Sequence, residues 1–528
     1  MTDVSVTRRR LLAGLSSTVI TASMFARATV RAAPVVRIRD GRLCGFTRNG
    51  LQIFLGIPYG ASTGGERRFL PPALPDSWRG VRVATRLGQR APQTTEPVYA
   101  TAGAGPYMAG GRQDELLRLQ EPMGEDCLVL NVLTPRADHA ARPVIVYLHG
   151  GGFSSGSGAT MTMSDRFVAE NDIVVVTVNH RLGALGYAYL GGLSPRYEIG
   201  NPGLLDLVAA LKWVRDNIHA FGGDSGKVTI FGESGGGAKV ALMMAMPQAA
   251  GLFRAAIIES GGISKLQSTE VATEAVKSFV ARSEPAATNV EALQTMSSHD
   301  LQTIATSSPI LDGHTLAAQP WLEAAPDTAA SIPLLISYSA EEETGFLSQH
   351  DPSLLHLDWS QLPAKLAAAF HKSEAELAPA IEAYRSVYTN GDATEIFFRM
   401  QTIQRFGRLA LLLANLKVMQ DAPVFFYRFQ YDPGLFGLRT FHTSDLPLTM
   451  RMVLQPAAEP LSKRLAGAFA NFARHGDPNG PGLPAWPRYE RTQQPIMLFD
   501  RDAIPAGPDP ERAARSVLIS IIGEHPGF

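Results

Sequence analysis

The sequence Gly-Glu-Ser-Gly-Gly at residues 232–236 lies between an apolar run, residues 228–231, and a helix-prone run, residues 237–246. A strand, a tight turn holding a serine and a closely packed helix form a nucleophile elbow, which needs small residues on both sides of the serine. Because the Gly-x-Ser-x-Gly pattern alone also arises by chance, these flanking runs decide its meaning. They predict that Ser234 is a nucleophile at the end of a buried strand.

A second Gly-x-Ser-x-Gly match, residues 152–156, lacks that setting. It overlaps His-Gly-Gly-Gly at residues 149–152, which follows an apolar run, residues 144–148. Glycines let backbone N–H groups approach a developing oxyanion, and the residue after the nucleophile supplies a further donor. We expect the oxyanion hole to consist of the N–H groups of Gly151, Gly152 and Gly235.

Further motifs are spread along the chain. They are Phe-Leu-Gly-Ile-Pro-Tyr at 54–59, Glu-Asp-Cys-Leu at 125–128, Asn-His-Arg-Leu-Gly at 179–183, Gly-Asn-Pro-Gly-Leu-Leu-Asp at 200–206 and Gly-Asp-Pro-Asn at 476–479. Together they resemble the type-B carboxylesterases, which include the cholinesterases, and within them bacterial para-nitrobenzyl-esterase-like proteins. The resemblance implies an α/β-hydrolase fold: a mostly parallel central β-sheet flanked by helices, with large helical insertions over the active site. It also implies hydrolysis of small carboxylic esters.

The resemblance places an acid after Ser234 and before the histidine, in the chain order of this fold. A strand-like run, residues 334–338, precedes three consecutive glutamates. The family's acid commonly stands four residues before an aromatic, which selects Glu342. Its neighbours Glu341 and Glu343 remain alternatives.

The base is expected in Phe-His-Thr-Ser-Asp-Leu at residues 441–446, which resembles the family's histidine loop. His442 would accept the proton of Ser234, while Glu342 would orient the imidazole and stabilise its cation. Since the base must be neutral, activity should fall on acidification. His149 is expected to be structural, and Glu233, beside the nucleophile, to tune the site electrostatically.

The composition agrees with a single large catalytic domain, residues 33–528. Of 528 residues, 45% are hydrophobic and 18% charged, which suits a sizeable buried core, and we find no repeat or linker. Short runs that are apolar on both faces predict central parallel strands at 144–148, 173–178, 228–231 and 255–258. Residues 204–221 should form a helix, and residues 265–330 and 362–420 insertions over the carboxyl edge of the sheet.

Residues 1–32 are expected to be a signal peptide. Thr-Arg-Arg-Arg-Leu-Leu at residues 7–12 resembles a twin-arginine export signal, and the apolar segment behind it is too short for a convincing membrane span. Cleavage is expected after Ala28 or Ala32, and a basic amphipathic arm is the alternative. The signal predicts an exported protein, periplasmic or secreted, with no stable span in its mature form.

The resemblance also bears on ion pairs and cysteines. It implies two scaffold ion pairs, Arg68 with Glu125 and Arg181 with Asp206. The family commonly pairs the cysteine at position 127 with one that Ala91 replaces here, so Cys127 is expected to be unpaired. A bridge between Cys44 and Cys127 stays open, because sequence gives no distance.

Cofactor, metal and nucleic-acid functions find no support in the sequence. Residues 222–227 superficially suggest a phosphate loop, but they precede a strand instead of following one. No Cys/His ligand set and no basic stripe is present. A non-catalytic interaction domain, or another reaction on the same fold such as amide hydrolysis or cyanohydrin cleavage, remains an alternative. The natural ester and the oligomeric state are left open.

Overall fold

The computed structural model describes residues 33–93, 121–263, 265–283, 290–304, 308–435, 437–452, 455–502 and 504–524. The chain divides into two units, Met1–Ala33 and Pro34–Phe528. The expected export signal and its cleavage sites lie outside the described residues. The second unit carries every residue proposed above for catalysis.

The strands are numbered along the chain. They are β1 (Val35–Ile38), β2 (Gly41–Cys44), β3 (Phe46–Arg48), β4 (Leu51–Pro58), β5 (Val81–Val83), β6 (Val129–Thr134), β7 (Arg142–Leu148), β8 (Val174–Val178), β9 (Gly223–Glu233), β10 (Ala255–Glu259), β11 (Gln267–Ser268), β12 (Ile310–Leu311), β13 (Leu334–Ser339), β14 (Val424–Phe429), β15 (Pro495–Phe499) and β16 (Ala506–Pro508).

An eleven-stranded sheet forms the centre, in the order β16-β15-β14-β13-β10-β9-β7-β8-β6-β4-β3. Pairing is parallel from β8 through β7, β9, β10, β13 and β14 to β15, and antiparallel at both ends. Smaller sheets join β1-β2-β5 and β11-β12. The four predicted central strands are confirmed as neighbours, and their apolar residues are buried because helices cover both faces of such a sheet.

The helices surround this sheet. The α-helices are α1 (Asp165–Asn171), α2 (Gly183–Tyr187), α3 (Pro202–Asn217), α4 (Gly235–Ala245), α5 (Thr269–Ser283), α6 (Val290–Thr295), α7 (Ser298–Leu301), α8 (Thr344–Ser348), α9 (Leu362–Phe370), α10 (Glu374–Val387), α11 (Ala393–Thr402), α12 (Arg408–Lys417), α13 (Leu446–Thr449), α14 (Glu459–His475) and α15 (Arg512–Ile522). Single 3₁₀ turns lie at Gly65–Arg67, Gly158–Met163, Pro195–Tyr197, Ile218–Phe221, Pro247–Ala249, Asp327–Ala329, Pro352–His356 and Pro456–Ala458, and a π-helix at Ile403–Gly407.

Both sequence-predicted helical regions are confirmed. Residues 204–221 lie in α3 and the 3₁₀ turn behind it, and residues 362–420 hold α9 to α12. A capping box starts α10: Ser373 accepts a hydrogen bond from the Glu376 N–H, and the Glu376 carboxylate accepts one from the Ser373 N–H. Residues 265–330 add the short sheet β11-β12, which periodicity did not predict.

The scaffold ion pairs are present. Arg68 Nε lies 2.7 Å from Glu125 Oε2, and Arg181 Nε lies 2.8 Å from Asp206 Oδ2 in the buried interior. Cys44 and Cys127 are both free thiols, which confirms the unpaired Cys127. In the part of the chain that the structure describes, no helix has the length and apolarity that crossing a membrane requires.

Candidate active site

Ser234 occupies a sharp turn between β9, which ends at Glu233, and α4, which begins at Gly235. Its backbone angles are φ 56° and ψ −124°, a region that costs a side-chain-bearing residue free energy and therefore persists only where the surroundings hold it. The Ser234 N–H donates to the Glu259 carbonyl at 2.9 Å, which ties the turn to the end of β10. This is the strand–serine–helix geometry of a nucleophile elbow.

Glycines surround the elbow because other backbone segments approach it closely. A Cβ at Gly236 would lie 2.0 Å from the Leu148 carbonyl oxygen, and one at Gly235 would lie 2.4 Å from the Cα of Gly152. Such distances leave no room for a side chain. The glycines thus bring residues 149–152, called the oxyanion segment below, into contact with the first turn of α4.

Local hydrogen bonds fix the two inner peptide units of the oxyanion segment. The Gly150 carbonyl accepts from His149 Nδ1 at 2.9 Å, and the Gly151 carbonyl accepts from the Ser155 N–H at 3.1 Å. In a trans peptide the N–H points away from the C=O of the same unit. The N–H groups of Gly151 and Gly152 therefore face away from these donors.

Those N–H groups are available to a ligand. Among the described residues, no backbone carbonyl accepts a hydrogen bond from the N–H of Gly151, Gly152 or Gly235. Gly152 is exposed, and Gly151 and Gly235 are half-buried, so the three donors are reachable from outside the core. The structure brings the three predicted oxyanion glycines to one place beside Ser234.

Lys239 lies beneath the oxyanion segment, and the sequence reading missed it. Its Nζ donates to the carbonyls of His149 at 2.9 Å and Gly152 at 2.7 Å, and the side chain is fully buried. Burial lowers the pKa of Lys239 from 10.5 to about 7. The available signal was a single charged residue in the otherwise apolar and glycine-rich helix α4.

His442 and Glu342 are in direct contact. His442 Nδ1 lies 2.5 Å from Glu342 Oε2, and the backbone N–H of His442 donates to the Glu342 carbonyl at 3.2 Å. The other carboxylate oxygen, Oε1, accepts from the Ser339 N–H at 2.6 Å, and the Glu342 N–H donates to Thr402 Oγ1 at 2.9 Å. The acid is therefore held from β13 and from the end of α11.

The two alternative glutamates point to other partners. Glu341 Oε2 accepts a hydrogen bond from the Thr440 N–H at 3.2 Å. Glu343 Oε1 lies 3.2 Å from Arg405 Nη1. Of the three consecutive carboxylates, Glu342 is the one in contact with the His442 ring.

Aromatic rings flank the His442 imidazole. The ring centroids of Phe346 and Phe406 lie 5.1 and 4.7 Å from that of His442. Phe406 belongs to the π-helix Ile403–Gly407, a geometry that is frequent at functional sites. Arg405, from the same π-helix, stacks over both phenylalanine rings and is mostly exposed. These residues form one wall of the site, which the sequence did not predict.

A group of buried carboxylates lies behind His442; Glu233, Glu259, Glu342 and Asp445 are called the carboxylate cluster. Glu233 Oε1 lies 3.3 Å from His442 Nε2, without hydrogen-bond geometry. Tyr427 Oη lies 2.6 Å from Glu259 Oε1 and 3.3 Å from Asp445 Oδ2. Because this hydroxyl has one proton to donate, a protonated carboxyl is needed to complete both contacts.

Burial and mutual repulsion act in the same direction on Glu233 and Asp445. Burial, followed by the charge of Asp445, raises the pKa of Glu233 well above its usual range. Burial, followed by the charge of Glu342, raises the pKa of Asp445 to about 7. Glu233 and Asp445 therefore keep their protons to a higher pH than isolated carboxyl groups do.

The fold and the elbow define the class of protein as an α/β hydrolase. The sequence profile of the Carboxylesterase family matches residues 32–513. The chain therefore belongs to the carboxylesterase family, type B, and it is a carboxylic ester hydrolase.

Individual relatives cover nearly the whole chain. The para-nitrobenzyl esterase of Bacillus subtilis (strain 168) is 32% identical over 93% of this chain and 99% of its own length. The cocaine esterase of Homo sapiens is 31% identical over 86% of this chain and 85% of its own.

Solved structures agree with the fold. The carboxylesterase EST55 of Geobacillus stearothermophilus matches with a TM-score of 0.75 and 32% identity, covering 92% of this chain and 99% of that one. An esterase from Clostridium hathewayi, which hydrolyses aliphatic aromatic polyesters, matches with a TM-score of 0.76 and 27% identity over 92% and 98% of the two chains. The predicted family and fold are thus confirmed.

Proposed function

We propose that the protein hydrolyses carboxylic esters through an acyl-enzyme on Ser234, with His442 as general base and Glu342 as its orienting partner. The observation that carries the proposal is the His442 ring, which contacts Glu342 through Nδ1 and turns Nε2 toward Glu233, the residue next to Ser234. A base held at Nδ1 keeps its lone pair on Nε2 for the proton of the serine.

The reaction proceeds in two matched halves. Ser234 Oγ attacks the ester carbonyl as His442 takes its proton, and the N–H groups of Gly151, Gly152 and Gly235 stabilise the oxyanion. The tetrahedral intermediate then collapses, the carbon–oxygen bond of the leaving alcohol breaks, and His442 returns the proton to that oxygen. Water repeats the sequence on the acyl-enzyme and releases the acid.

An aromatic group on the ester fits the wall beside His442. Phe346 and Phe406 present their rings there, and the names of two relatives, para-nitrobenzyl esterase and cocaine esterase, point to aromatic esters. We expect benzyl butyrate to react faster than cyclohexylmethyl butyrate. In Phe406→Leu that preference should shrink, and an unchanged preference would remove Phe406 from substrate recognition.

The test of the reaction is turnover of p-nitrophenyl acetate, butyrate, octanoate and palmitate, with Ser234→Ala as control. Loss of turnover in Ser234→Ala, together with labelling of the wild type alone by an organophosphate, is the expected result. Equal turnover by both proteins would contradict the assignment of Ser234. A protein that labels but turns over amides faster than esters would favour the alternative reaction.

Export by a twin-arginine route is a separate proposal. The motif at residues 7–12 supports it, and two free thiols fit a protein that matures before export in a reducing compartment. Replacing Arg8 and Arg9 with lysine should retain the protein, with its precursor length, inside the cell. Unchanged export of that double variant would contradict the proposal, and N-terminal sequencing of the mature protein decides between Ala28 and Ala32.

A further inference from the structure

The outer peptide units of the oxyanion segment share a single hydrogen-bond donor. The His149 carbonyl begins the segment and the Gly152 carbonyl ends it, and both accept from Lys239 Nζ, at 2.9 and 2.7 Å. The two inner carbonyls have their own local donors, His149 Nδ1 and the Ser155 N–H. Lys239 therefore supplies the hydrogen bonds that join both ends of the segment to another part of the chain.

Lys239 and Gly235 lie four residues apart on α4, so they occupy the same face of one helix. Gly235 carries the third proposed oxyanion donor at the first position of that helix. Because Lys239 and Gly235 belong to one helix, the hydrogen bonds of Lys239 also fix the position of the Gly235 N–H relative to the N–H groups of Gly151 and Gly152.

An aromatic ring also lies beside Lys239. The Phe153 ring lies 5.4 Å from Nζ, a cation–π distance, and the Phe153 carbonyl accepts from the Gly183 N–H at 2.8 Å. The residue that follows the oxyanion segment is thus held as well. Both the ammonium and the neutral amine have at least two N–H bonds, so either form can hold both carbonyls.

We propose that Lys239 is a positioning residue for ester hydrolysis, clamping both ends of the oxyanion segment onto α4 so that three N–H donors converge on one oxygen. This inference rests on the proposed function of Ser234 and the oxyanion glycines. Lys239 does not touch the substrate; it acts through the backbone of residues 149–152.

The test compares Lys239→Met, which keeps the length of the side chain and removes the donor, with Lys239→Gln, whose amide retains two N–H bonds. Lys417→Met is the matched control, because Lys417 is also buried, is the last residue of α12 and, among the described residues, donates to the carbonyl of Ala330 and not to the oxyanion segment. For each folded variant, kcat and KM are measured on p-nitrophenyl butyrate. Inhibition constants are measured for an aryl trifluoromethyl ketone, which forms a tetrahedral adduct with the serine.

Loss of one oxyanion donor costs about 10²- to 10³-fold in kcat. In Lys239→Met the N–H groups of Gly151 and Gly152 are misplaced but not removed, so we expect a smaller loss of kcat, about 10- to 100-fold. We expect an unchanged KM, an inhibition constant for the ketone that rises by the same factor, and an intermediate loss in Lys239→Gln. Lys417→Met should keep the wild-type kcat even if its melting temperature falls.

Three results would overturn the inference: a wild-type kcat in Lys239→Met, a kcat loss that Lys417→Met shares, or a rise in KM without weaker binding of the ketone. If Lys239→Met does not fold, Lys239→Gln is judged by the same criteria. An inert wild type would overturn the proposed function and this inference together. An active wild type that Ser234→Ala abolishes, with an unaffected Lys239 variant, would overturn this inference alone.

Discussion

The oxyanion side and the histidine side of Ser234 differ in how completely their polar groups are hydrogen-bonded. On the oxyanion side, each carbonyl of residues 149–152 accepts a hydrogen bond, and the free N–H groups face outward. On the histidine side, the donors are unevenly distributed over the carboxylate cluster: Glu342 and Glu259 accept hydrogen bonds, but among the described residues neither oxygen of Glu233 does. One side is therefore fixed by hydrogen bonds, and the other is dominated by burial and like charge.

The difference corresponds to what each side is asked to do. An oxyanion hole stabilises a transient charge only if its donors are already in place before the reaction. The proposed general base, His442, must instead gain and lose a proton during each cycle. Neighbouring carboxyls that are protonated surround it without adding further buried negative charge. The variants below remove each arrangement in turn.

The largest effect is expected from Glu342→Gln, which removes the charge that contacts His442. By analogy with the loss of the acid in a serine triad, kcat should fall about 10³- to 10⁴-fold, because the imidazole loses the partner that orients it and stabilises its cation. The measurement is kcat on p-nitrophenyl butyrate.

Glu341→Gln and Glu343→Gln are the controls for that variant, since they remove the neighbouring charges that contact Thr440 and Arg405. Turnover per folded protein should stay within about tenfold of wild type in both. If either control loses as much as Glu342→Gln, the acid is wrongly assigned.

Gly235→Ala should disturb the oxyanion side. Its Cβ would lie 2.4 Å from backbone atoms of Gly152, so the segment has to move away from α4. We expect kcat to fall about 100-fold while KM changes little. Steady-state kinetics on the same ester measures both quantities.

Gly467→Ala is the control for the glycine change, because a Cβ there meets no atom within 4 Å and the residue lies inside α14. It should keep full activity and stabilise the protein by about 0.5–1 kcal/mol. Full activity in Gly235→Ala would show that the oxyanion segment can shift without loss of kcat. It would contradict the view that hydrogen bonds hold the oxyanion side rigid.

How much of this site could be read from the sequence differs between its parts. Ser234 was predictable because its evidence is local: an apolar strand, a glycine-flanked turn and a helix lie within one short stretch. The central strands were predictable for the same reason, since strands buried on both faces are apolar throughout. Family resemblance, not residue chemistry, selected Glu342 from three adjacent glutamates.

Lys239, Glu259 and Asp445 were not predictable in that way. The partners of Lys239 lie 90 and 87 residues earlier in the chain, so its role follows from how α4 packs against the end of β7. Glu233, Glu259 and Asp445 come from the ends of three different segments and meet only in the folded sheet. Their pKa values depend on burial, which single-residue patterns do not give.

A smaller effect is expected on the pH dependence of stability, where Lys239 on the oxyanion side and Asp445 on the histidine side act in opposite directions. The folded pKa of Lys239 is lowered to about 7, so the unfolded chain binds one more proton between about pH 7 and 10, and this group makes stability rise with pH there. The folded pKa of Asp445 is raised to about 7, so this group makes stability fall as pH rises from about 4 to 7.

Urea unfolding of wild type, Lys239→Met and Asp445→Asn across pH 5–10 measures both effects. The difference in free energy of unfolding between wild type and Asp445→Asn should change by up to about 1.4 kcal/mol per pH unit below pH 7. For Lys239→Met the change should have the opposite sign and lie above pH 7. Parallel stability curves for all three proteins would contradict the pKa shifts.

The smallest effect is expected from Glu233→Gln. Burial raises the pKa of Glu233 well above its usual range and so favours the neutral carboxyl, and a glutamine amide has nearly the same shape and charge as that neutral form. We therefore expect kcat at pH 7 to remain within about threefold of wild type. Glu233→Lys is the control for sensitivity of this position. It puts a positive charge into the buried space where Glu233 Oε1 now lies 3.3 Å from His442 Nε2, and it should inactivate the protein. A loss of about 30-fold or more in Glu233→Gln would mean that Glu233 acts as a carboxylate, with a negative charge that stabilises the His442 cation in the transition state. The histidine side would then stabilise the transition state by a fixed negative charge, and the oxyanion side by backbone N–H dipoles. The two sides would differ in the kind of charge that they present, and not in whether their protons are exchanged during the reaction.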